Sequence, residues 1–324
     1  MELLTLADVK AYYRTPSGQI VRAVDGVTLS INEGEVLGIA GESGCGKTTL
    51  AQVLALNMQP PLYLAGGEVL ADGVDVQKLP PEVKRREYRG KYISVVPQGA
   101  MSALNPSLRI RQFVADLMRE HYSDLTKRDA LDRAEQRLRA LDLPVRVLDA
   151  YPHQLSGGMK QRTVIAISTL LDPKVLICDE PTSALDVSSQ RSVLELLRWL
   201  MKEKIIRSCV FVTHELPLLY QIADRVAVMY AGRIAEVGGA EEIIFRPQHP
   251  YSTALVGAVL VPEKGMKERR VEGIPGAPPD LRTPPTGCRF AARCRFVDEQ
   301  CKADPVERTS GTRQVWCWKP GASA

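Results

Sequence analysis

Short apolar runs alternate with amphipathic stretches from the first residues to about residue 245, and this alternation predicts an α/β fold built on a largely parallel sheet. Val36-Leu37-Gly38-Ile39-Ala40, Val175-Leu176-Ile177-Cys178 and Cys209-Val210-Phe211-Val212 are apolar throughout, as expected of strands buried on both faces. Thr48 to Leu56 and Gln190 to Glu203 read as helices. From Arg109 to Leu143, Leu, Ala and Val recur at helical spacing within a charge-rich stretch, which predicts a helical insertion with its charges on a solvated face. Beyond about residue 262 the texture turns to proline and glycine, in Ile274-Pro275-Gly276-Ala277-Pro278-Pro279 and Thr283-Pro284-Pro285, and predicts an extended connector. The chain shows no internal repeat.

At 324 residues the chain has room for about two domains and a large buried core. Hydrophobic residues at 45% and charged residues at 25% are ordinary globular usage, which weighs against a disordered, collagen-like or coiled-coil chain. The balance of 42 Lys and Arg against 38 Asp and Glu is too mild to require nucleic acid and gives no stripe of charge to track phosphates. Met1 to Asp8 lack the basic region and apolar core of a secretory signal, so a cytosolic location is expected. The nearest approach to a membrane span, Thr253 to Pro262, is about half of the ~20 residues required, so a membrane role needs a partner.

Gly41-Glu42-Ser43-Gly44-Cys45-Gly46-Lys47-Thr48 fits G-x-x-x-x-G-K-[ST] between an apolar strand and a helical run, the setting that a phosphate loop requires. The glycines let successive backbone N–H groups turn inward around a β-phosphate, the helix N-terminus adds its positive end, and Lys47 reaches the β- and γ-phosphates. Gly41, Ser43, Gly44, Cys45, Gly46, Lys47, Thr48 and Thr49 are the candidate nucleotide-binding residues here, with Thr48 also a candidate Mg²⁺ ligand. The plainer alternative is a glycine-rich turn with an incidental lysine.

Two carboxylates, Asp179 and Glu180, end the run Val175 to Cys178, where Asp179 can reach a Mg²⁺ shell and Glu180 can polarise an attacking water. Taken alone, such a run is more often a strand meeting a loop. Leu155-Ser156-Gly157-Gly158-Met159-Lys160-Gln161-Arg162 opens a second helix terminus suited to an anion. One chain with one nucleotide has no evident use for two such termini. A dimer explains them, with Ser156, Gly157 and Gly158 of one chain capping the γ-phosphate held by another, although a plain N-capped helix is the simpler alternative.

On these residues the chain resembles the nucleotide-binding subunit of an ABC transporter, whose signature reads LSGGQ or, in one branch, LSGGM. The resemblance implies an α/β P-loop NTPase fold of the ABC type, with an N-terminal antiparallel β subdomain and a helical subdomain at about residues 100–165. It places the nucleotide-binding domain at 1–245 and a small Pro-rich C-terminal extension at 246–324. Gln98, after Tyr92-Ile93-Ser94-Val95-Val96-Pro97, matches the Q-loop glutamine that senses Mg²⁺ and γ-phosphate. Ser183-Ala184-Leu185-Asp186 matches the D-loop, His214 the switch histidine, and Tyr13, beside Tyr12, the aromatic that stacks on adenine. The implied catalytic residues are Glu180, His214, Lys47 and Gln98, with Thr48, Gln98 and Asp179 around Mg²⁺ and Asp186 and His214 among the nucleotide contacts. Gly99 and Glu215 depart from the family pattern, where acidic and Asp residues are common, without removing a catalytic group.

Arg14-Thr15-Pro16-Ser17-Gly18, Met101-Ser102-Ala103-Leu104-Asn105-Pro106, His249-Pro250-Tyr251 and Gly287-Cys288-Arg289-Phe290 are similar to the oligopeptide, dipeptide and nickel importer branch. In that branch four tail cysteines are associated with an iron–sulfur cluster, a [4Fe-4S] type, and Cys288, Cys294, Cys301 and Cys317 stand in the matching region. Their spacing of five, six and fifteen intervening residues contains no C-x₂-C knuckle, with zinc and unligated thiols as alternatives. Arg289, Arg293 and Arg295, interleaved among them, either offset a negative cluster or form solvated surface charge. The cluster is expected to be a structural staple for the tail, whose loss loosens the tail and spares ATP binding.

The resemblance implies an ATPase that powers import of oligopeptides, dipeptides or a related solute such as nickel or sugar. Its implied partners are a related ATPase subunit in a heterodimer, two transmembrane permease subunits and an extracytoplasmic solute-binding protein. No direct contact with nucleic acid is implied, and the expected place is the cytoplasmic face of the cell membrane, held peripherally. The rival readings are a soluble ABC-type ATPase acting on ribosomes or DNA, and a redox-sensing protein in which the cluster is primary.

Overall fold

Long alternating strands open the chain. β1 (Glu2–Arg14) and β2 (Ile20–Asn32) form an antiparallel hairpin from Glu2↔Asn32 to Arg14↔Ile20, with Leu4, Leu6, Val9 and Ala11 buried on one strand and Val24, Val27, Leu29 and Ile31 on the other. β3 (Val36–Ala40) follows, and then β4 (Leu62–Ala71) covers the other edge of β1 and carries the short β5 (Val74–Asp75), giving the order β2-β1-β4-β5. This is the expected N-terminal antiparallel sheet. The computed structural model describes residues 1–99, 103–122, 124–183, 185–258 and 273–322. Met101 and Ser102 of the branch motif, Ala184 of the D-loop motif and the far end of Thr253 to Pro262 lie outside the described residues.

The chain divides into two compact units, Met1–Gln77 with Phe211–Ala324, and Lys78–Val210. The second unit carries β6 (Ile93–Val96) and β7 (Val175–Asp179), paired parallel from Ile93↔Val175 to Val96↔Cys178. The predicted insertion is two helices, Ile110–His121 and Lys127–Ala140, the second opened by a capping box between Thr126 and Asp129. Gly157–Ser168 and Val187–Lys202 complete its long helices. β8 (Ser208–Val212) leads back into the first unit, buried at every position.

In the first unit β3 pairs parallel with β9 (Arg225–Tyr230), which turns antiparallel into β10 (Arg233–Gly239). Residues 273–287 carry no helix or strand, as expected of the connector, and two strands that were not expected follow the cysteine-bearing segment. β11 (Glu307–Ser310) and β12 (Arg313–Trp316) form a hairpin, and β12 adds to the edge of β10 at Glu236↔Val315. β11 has no hydrophobic pattern to announce it, because Glu307-Arg308-Thr309-Ser310 is exposed at every position, and its pairing alone defines it. Glu236 is wholly buried and accepts the N–H groups of Gln248 and His249 at 2.9 and 3.0 Å, while Arg313 lies 3.2 Å from its carboxylate. The Arg313 guanidinium also donates to the carbonyls of Glu242 and Arg246, so the tail strand is tied by charge as well as by its ladder.

His249 joins the same region. Its ring accepts the Tyr251 N–H at 2.9 Å, and burial pushes its pKa down to about 4. The folded chain therefore keeps His249 neutral while the unfolded chain protonates it near pH 6.5, so stability falls as pH drops from about 6.5 towards 4. Urea unfolding should show the wild type losing about 2 to 3 kcal/mol through this group by pH 4.5, relative to a His249→Asn chain. Parallel pH profiles for the two chains would contradict it.

Candidate functional site

The phosphate loop leaves β3 at Gly41 and enters the helix Lys47–Leu54 at Gly46. A Cβ on Gly41 would stand 2.2 Å from the Met229 carbonyl oxygen of β9, and one on Gly46 would stand 2.1 Å from the Ala23 carbonyl oxygen of β2. Only glycine fits where the loop passes between those two strands. No side chain caps the helix Lys47–Leu54, so its N-terminus keeps the character of an anion site. Lys47 is buried, and its ammonium donates to the carbonyls of Gly41 and Glu42 at 2.8 and 2.9 Å, folded over the loop. Burial pushes the Cys45 thiol up, so a neutral thiol sits beside Lys47.

Two more predicted residues come to this loop. The Tyr13 hydroxyl lies 3.1 Å from that of Thr49 and donates to Gln52 at 3.3 Å, against the helix that follows the loop. Tyr12 instead donates to Asp25, and burial together with that carboxylate raises its pKa to about 12. The Thr213 N–H donates to the Ile39 carbonyl at 3.1 Å, so the exposed His214 leaves β8 at the end of β3 that feeds the loop.

In the second unit, strand register brings two predicted residues together. Gln98 and Glu180 each lie two positions beyond the pair Val96↔Cys178, and the Gln98 amide donates to the Glu180 carboxylate at 3.0 Å. Glu180 has φ 48°, a left-handed conformation that costs a residue other than glycine about 1 kcal/mol or more. Ser183 holds it there by donating both its N–H and its hydroxyl to the Glu180 carbonyl. Asp179, one position earlier, is buried at the strand end. Ser156 caps the helix Gly157–Ser168 by accepting the Met159 N–H at 3.3 Å, and Ser156 and Gly157 are exposed. Asp186 caps the helix Val187–Lys202, and donors from Ser188 and Ser189 hold its carboxyl well below the usual range.

The four tail cysteines are neighbours. The Cys288 N–H donates to the Cys301 carbonyl at 3.0 Å, and the sulfurs of Cys294 and Cys317 accept backbone N–H groups from Phe296 and Lys319 at 3.4 and 3.3 Å. Burial raises Cys288 to about 11, with Cys301, Cys317 and Cys294 adding to the shift. Among the described residues no group of three or more His, Cys, Asp or Glu side chains is arranged to hold a metal ion. The expected iron–sulfur centre is thus not supported as a formed site. Burial raises the thiols of Cys288, Cys294 and Cys317, which keeps them in the neutral form that ligates metal poorly.

Of the tail arginines, Arg295 is exposed, as the surface-charge alternative has it, while Arg289 and Arg293 resolve differently from either sequence expectation. Arg289 and Arg293 have side chains 5% and 4% exposed, so they are not surface charge, and their partners are carboxylates of the first 50 residues. Arg289 pairs with Asp25, and Arg293 grips Glu42 inside the phosphate loop with two bonds of 2.7 and 3.0 Å. Sequence reasoning missed Glu42, Tyr251 and Arg293 as a group. The one available signal was a carboxylate at a variable loop position with an arginine beside a tail cysteine.

Comparison with known proteins gives the family. The ABC transporter family model matches residues 24–183, and the model for the oligopeptide/dipeptide transporter C-terminal region matches residues 235–301. The chain is 38% identical over 318 residues to the dipeptide transport ATP-binding protein DppD of Caldanaerobacter subterraneus subsp. tengcongensis, covering 97% of this chain and 96% of that one. It is 38% identical over 322 residues to the oligopeptide transport ATP-binding protein OppD of Bacillus subtilis, covering 98% and 88%. Among solved structures, the dimeric bacterial ABC transporter cassette MJ0796 superposes with a TM-score of 0.64 at 27% identity, covering 73% of this chain and 98% of that one. With its phosphate loop, its in-register Gln98–Glu180 pair and these matches along nearly its whole length, the chain belongs to the ABC transporter ATP-binding family, of the oligopeptide/dipeptide type.

Proposed function

We propose that this chain hydrolyses ATP to drive import of oligopeptides or dipeptides through separate membrane subunits. The relatives named for dipeptide and oligopeptide transport support the solute class, and no helix among the described residues is long and apolar enough to cross a membrane. It works with two permease subunits and an extracytoplasmic solute-binding protein, held at the cytoplasmic face of the membrane, and pairs with a related ATPase subunit. Residues 1–245 form the nucleotide-binding domain, with the helical subdomain at about 100–165, and residues 246–324 form the extension.

The observation that carries the chemistry is the hydrogen bond between Gln98 and Glu180 at the ends of two parallel strands. It holds a carboxylate ready to orient water, and a γ-phosphate that engages Gln98 releases that oxygen for the water. The backbone of Gly41, Ser43, Gly44, Cys45 and Gly46 with Lys47 and Thr49 cradles the phosphates, His214 contacts the γ-phosphate, and Tyr13 stacks on adenine. Thr48, Gln98 and Asp179 would hold Mg²⁺, a hard ion suited to hydroxyl, amide and carboxylate oxygens, which offsets phosphate charge. Ser156, Gly157 and Gly158 cap the γ-phosphate held by the partner subunit's loop, and Asp186 links the two sites. ATP thereby favours the closed dimer, and hydrolysis removes the link.

Four thiols gathered in one segment, three of them already receiving backbone N–H groups, supply the donor chemistry of an iron–sulfur group, with zinc as the alternative. Such a group, when bound, supplies cross-links to a segment with little apolar burial of its own. Protein purified without oxygen should carry about four iron atoms per chain, and a Cys294→Ser chain should lose most of that iron and its visible absorbance. Zinc in place of iron, or no metal, would overturn this assignment.

Glu180→Gln should keep ATP affinity within about twofold and lower steady-state hydrolysis by about 100-fold or more, trapping a closed dimer in MgATP. Hydrolysis at the wild-type rate in this variant would remove Glu180 from the mechanism.

A further inference from the structure

Glu42 has three polar groups, and each is held by a different partner. Its carbonyl accepts the Lys47 ammonium at 2.9 Å, its N–H donates to the Tyr251 hydroxyl at 2.9 Å, and its carboxylate receives the two Arg293 nitrogens. Two of those partners lie more than 200 residues away. Arg293 is itself anchored, donating to the Pro275 carbonyl at 2.7 Å and to the Tyr230 hydroxyl at 3.3 Å. Tyr230, Tyr251 and Phe290 pack against one another with ring centroids 4.5 to 5.4 Å apart, which fixes the Tyr251 hydroxyl and the backbone before Arg293 as one body.

The far end of the loop is held from the same segment. Arg289 donates to the Ala231 carbonyl, and the next residue, Gly232, donates its N–H to the Cys45 carbonyl at 2.8 Å. Each arginine adjoins a cysteine, Arg289 following Cys288 and Arg293 preceding Cys294. The extension therefore grips the loop near both of its ends.

We propose that Arg293 and Tyr251 are positioning residues for ATP binding, so that the C-terminal extension sets the shape of the phosphate loop through Glu42. This rests on the reading of residues 41–48 as the ATP phosphate site. A glutamate in that loop would repel a triphosphate by its charge, and Arg293 both cancels the charge and fixes the backbone that carries it. The extension is then a brace for the nucleotide site, and loosening it disturbs ATP binding instead of sparing it.

Glu42→Gln separates the two effects, because it removes the charge and breaks the two-oxygen fork to Arg293 while keeping the size of the side chain. If repulsion alone mattered, this variant would bind ATP more tightly. A positioning role predicts that Glu42→Gln and Arg293→Ala each weaken binding of a trinitrophenyl-ATP probe to the full-length chain by about tenfold, one fork of paired hydrogen bonds being worth that much. Arg293→Lys and Tyr251→Phe should fall between these and the wild type. In the complex with the membrane subunits the loss should appear in KM for MgATP rather than in kcat. If Arg293→Ala does not fold, Glu42→Gln carries the test alone. Unchanged or tighter probe binding in Glu42→Gln, or a loss confined to kcat, overturns the proposal. Lys47→Ala run alongside keeps the two readings apart: probe binding that survives in Lys47→Ala refutes the phosphate site itself, whereas its loss there with none in the Glu42 and Arg293 variants refutes only the brace.

Discussion

The first unit is organised around a steric constraint at the phosphate loop. Six residues between a buried strand and a helix must turn their N–H groups towards an anion while passing within contact distance of the Met229 and Ala23 carbonyl oxygens. That closeness excludes any side chain at Gly41 and Gly46, and it leaves the helix Lys47–Leu54 without a side-chain cap. β2 and β9 supply the two walls, so the antiparallel hairpin and the parallel sheet both shape the loop. The helix terminus and the Lys47 ammonium, close to the loop carbonyls, then present positive charge where phosphate would sit.

Charge pairing extends the constraint to the tail. Asp25 carries the cost of burial, which by itself would raise its pKa, yet the Tyr12 hydroxyl and the Arg289 guanidinium outweigh it and hold the carboxyl below its usual range. Arg293 with Glu42 and Arg313 with Glu236 repeat the pattern of a tail arginine against a carboxylate of the earlier chain. Breaking one partner of such a buried pair costs far more than the pair contributes, which makes these contacts specific for one docking of the segment. A tail with few apolar side chains is in this way held by charge, by a β-strand added to β10 and by one aromatic cluster.

Most of the fold was legible because its strands are apolar and its helices periodic: Val36–Ala40 coincides with β3, and the other two buried runs differ from β7 and β8 by one residue each. The site residues were legible one by one, since Lys47, Gln98, Asp179 and Glu180 each sit at the end of a strand or in a glycine-rich turn. Their pairing was not, because the bond between Gln98 and Glu180 depends on a parallel register that no local pattern encodes. Arg293 was misread for the same kind of reason. An arginine among cysteines looks like a counter-charge to them until the fold brings Glu42, some 250 positions earlier, against it. β11 was invisible because its exposed polar residues carry no periodic signal.

The proposed ATP site is the backbone of residues 41–48, with the tail as part of it. Amide hydrogen exchange on the full-length chain, with and without MgATP, tests both halves at once. Adding MgATP should slow exchange in peptides covering 41–48 and also in those covering 288–294. Unchanged exchange at 41–48 would contradict the nucleotide site, and protection at 41–48 with none at 288–294 would contradict the tail's part in it.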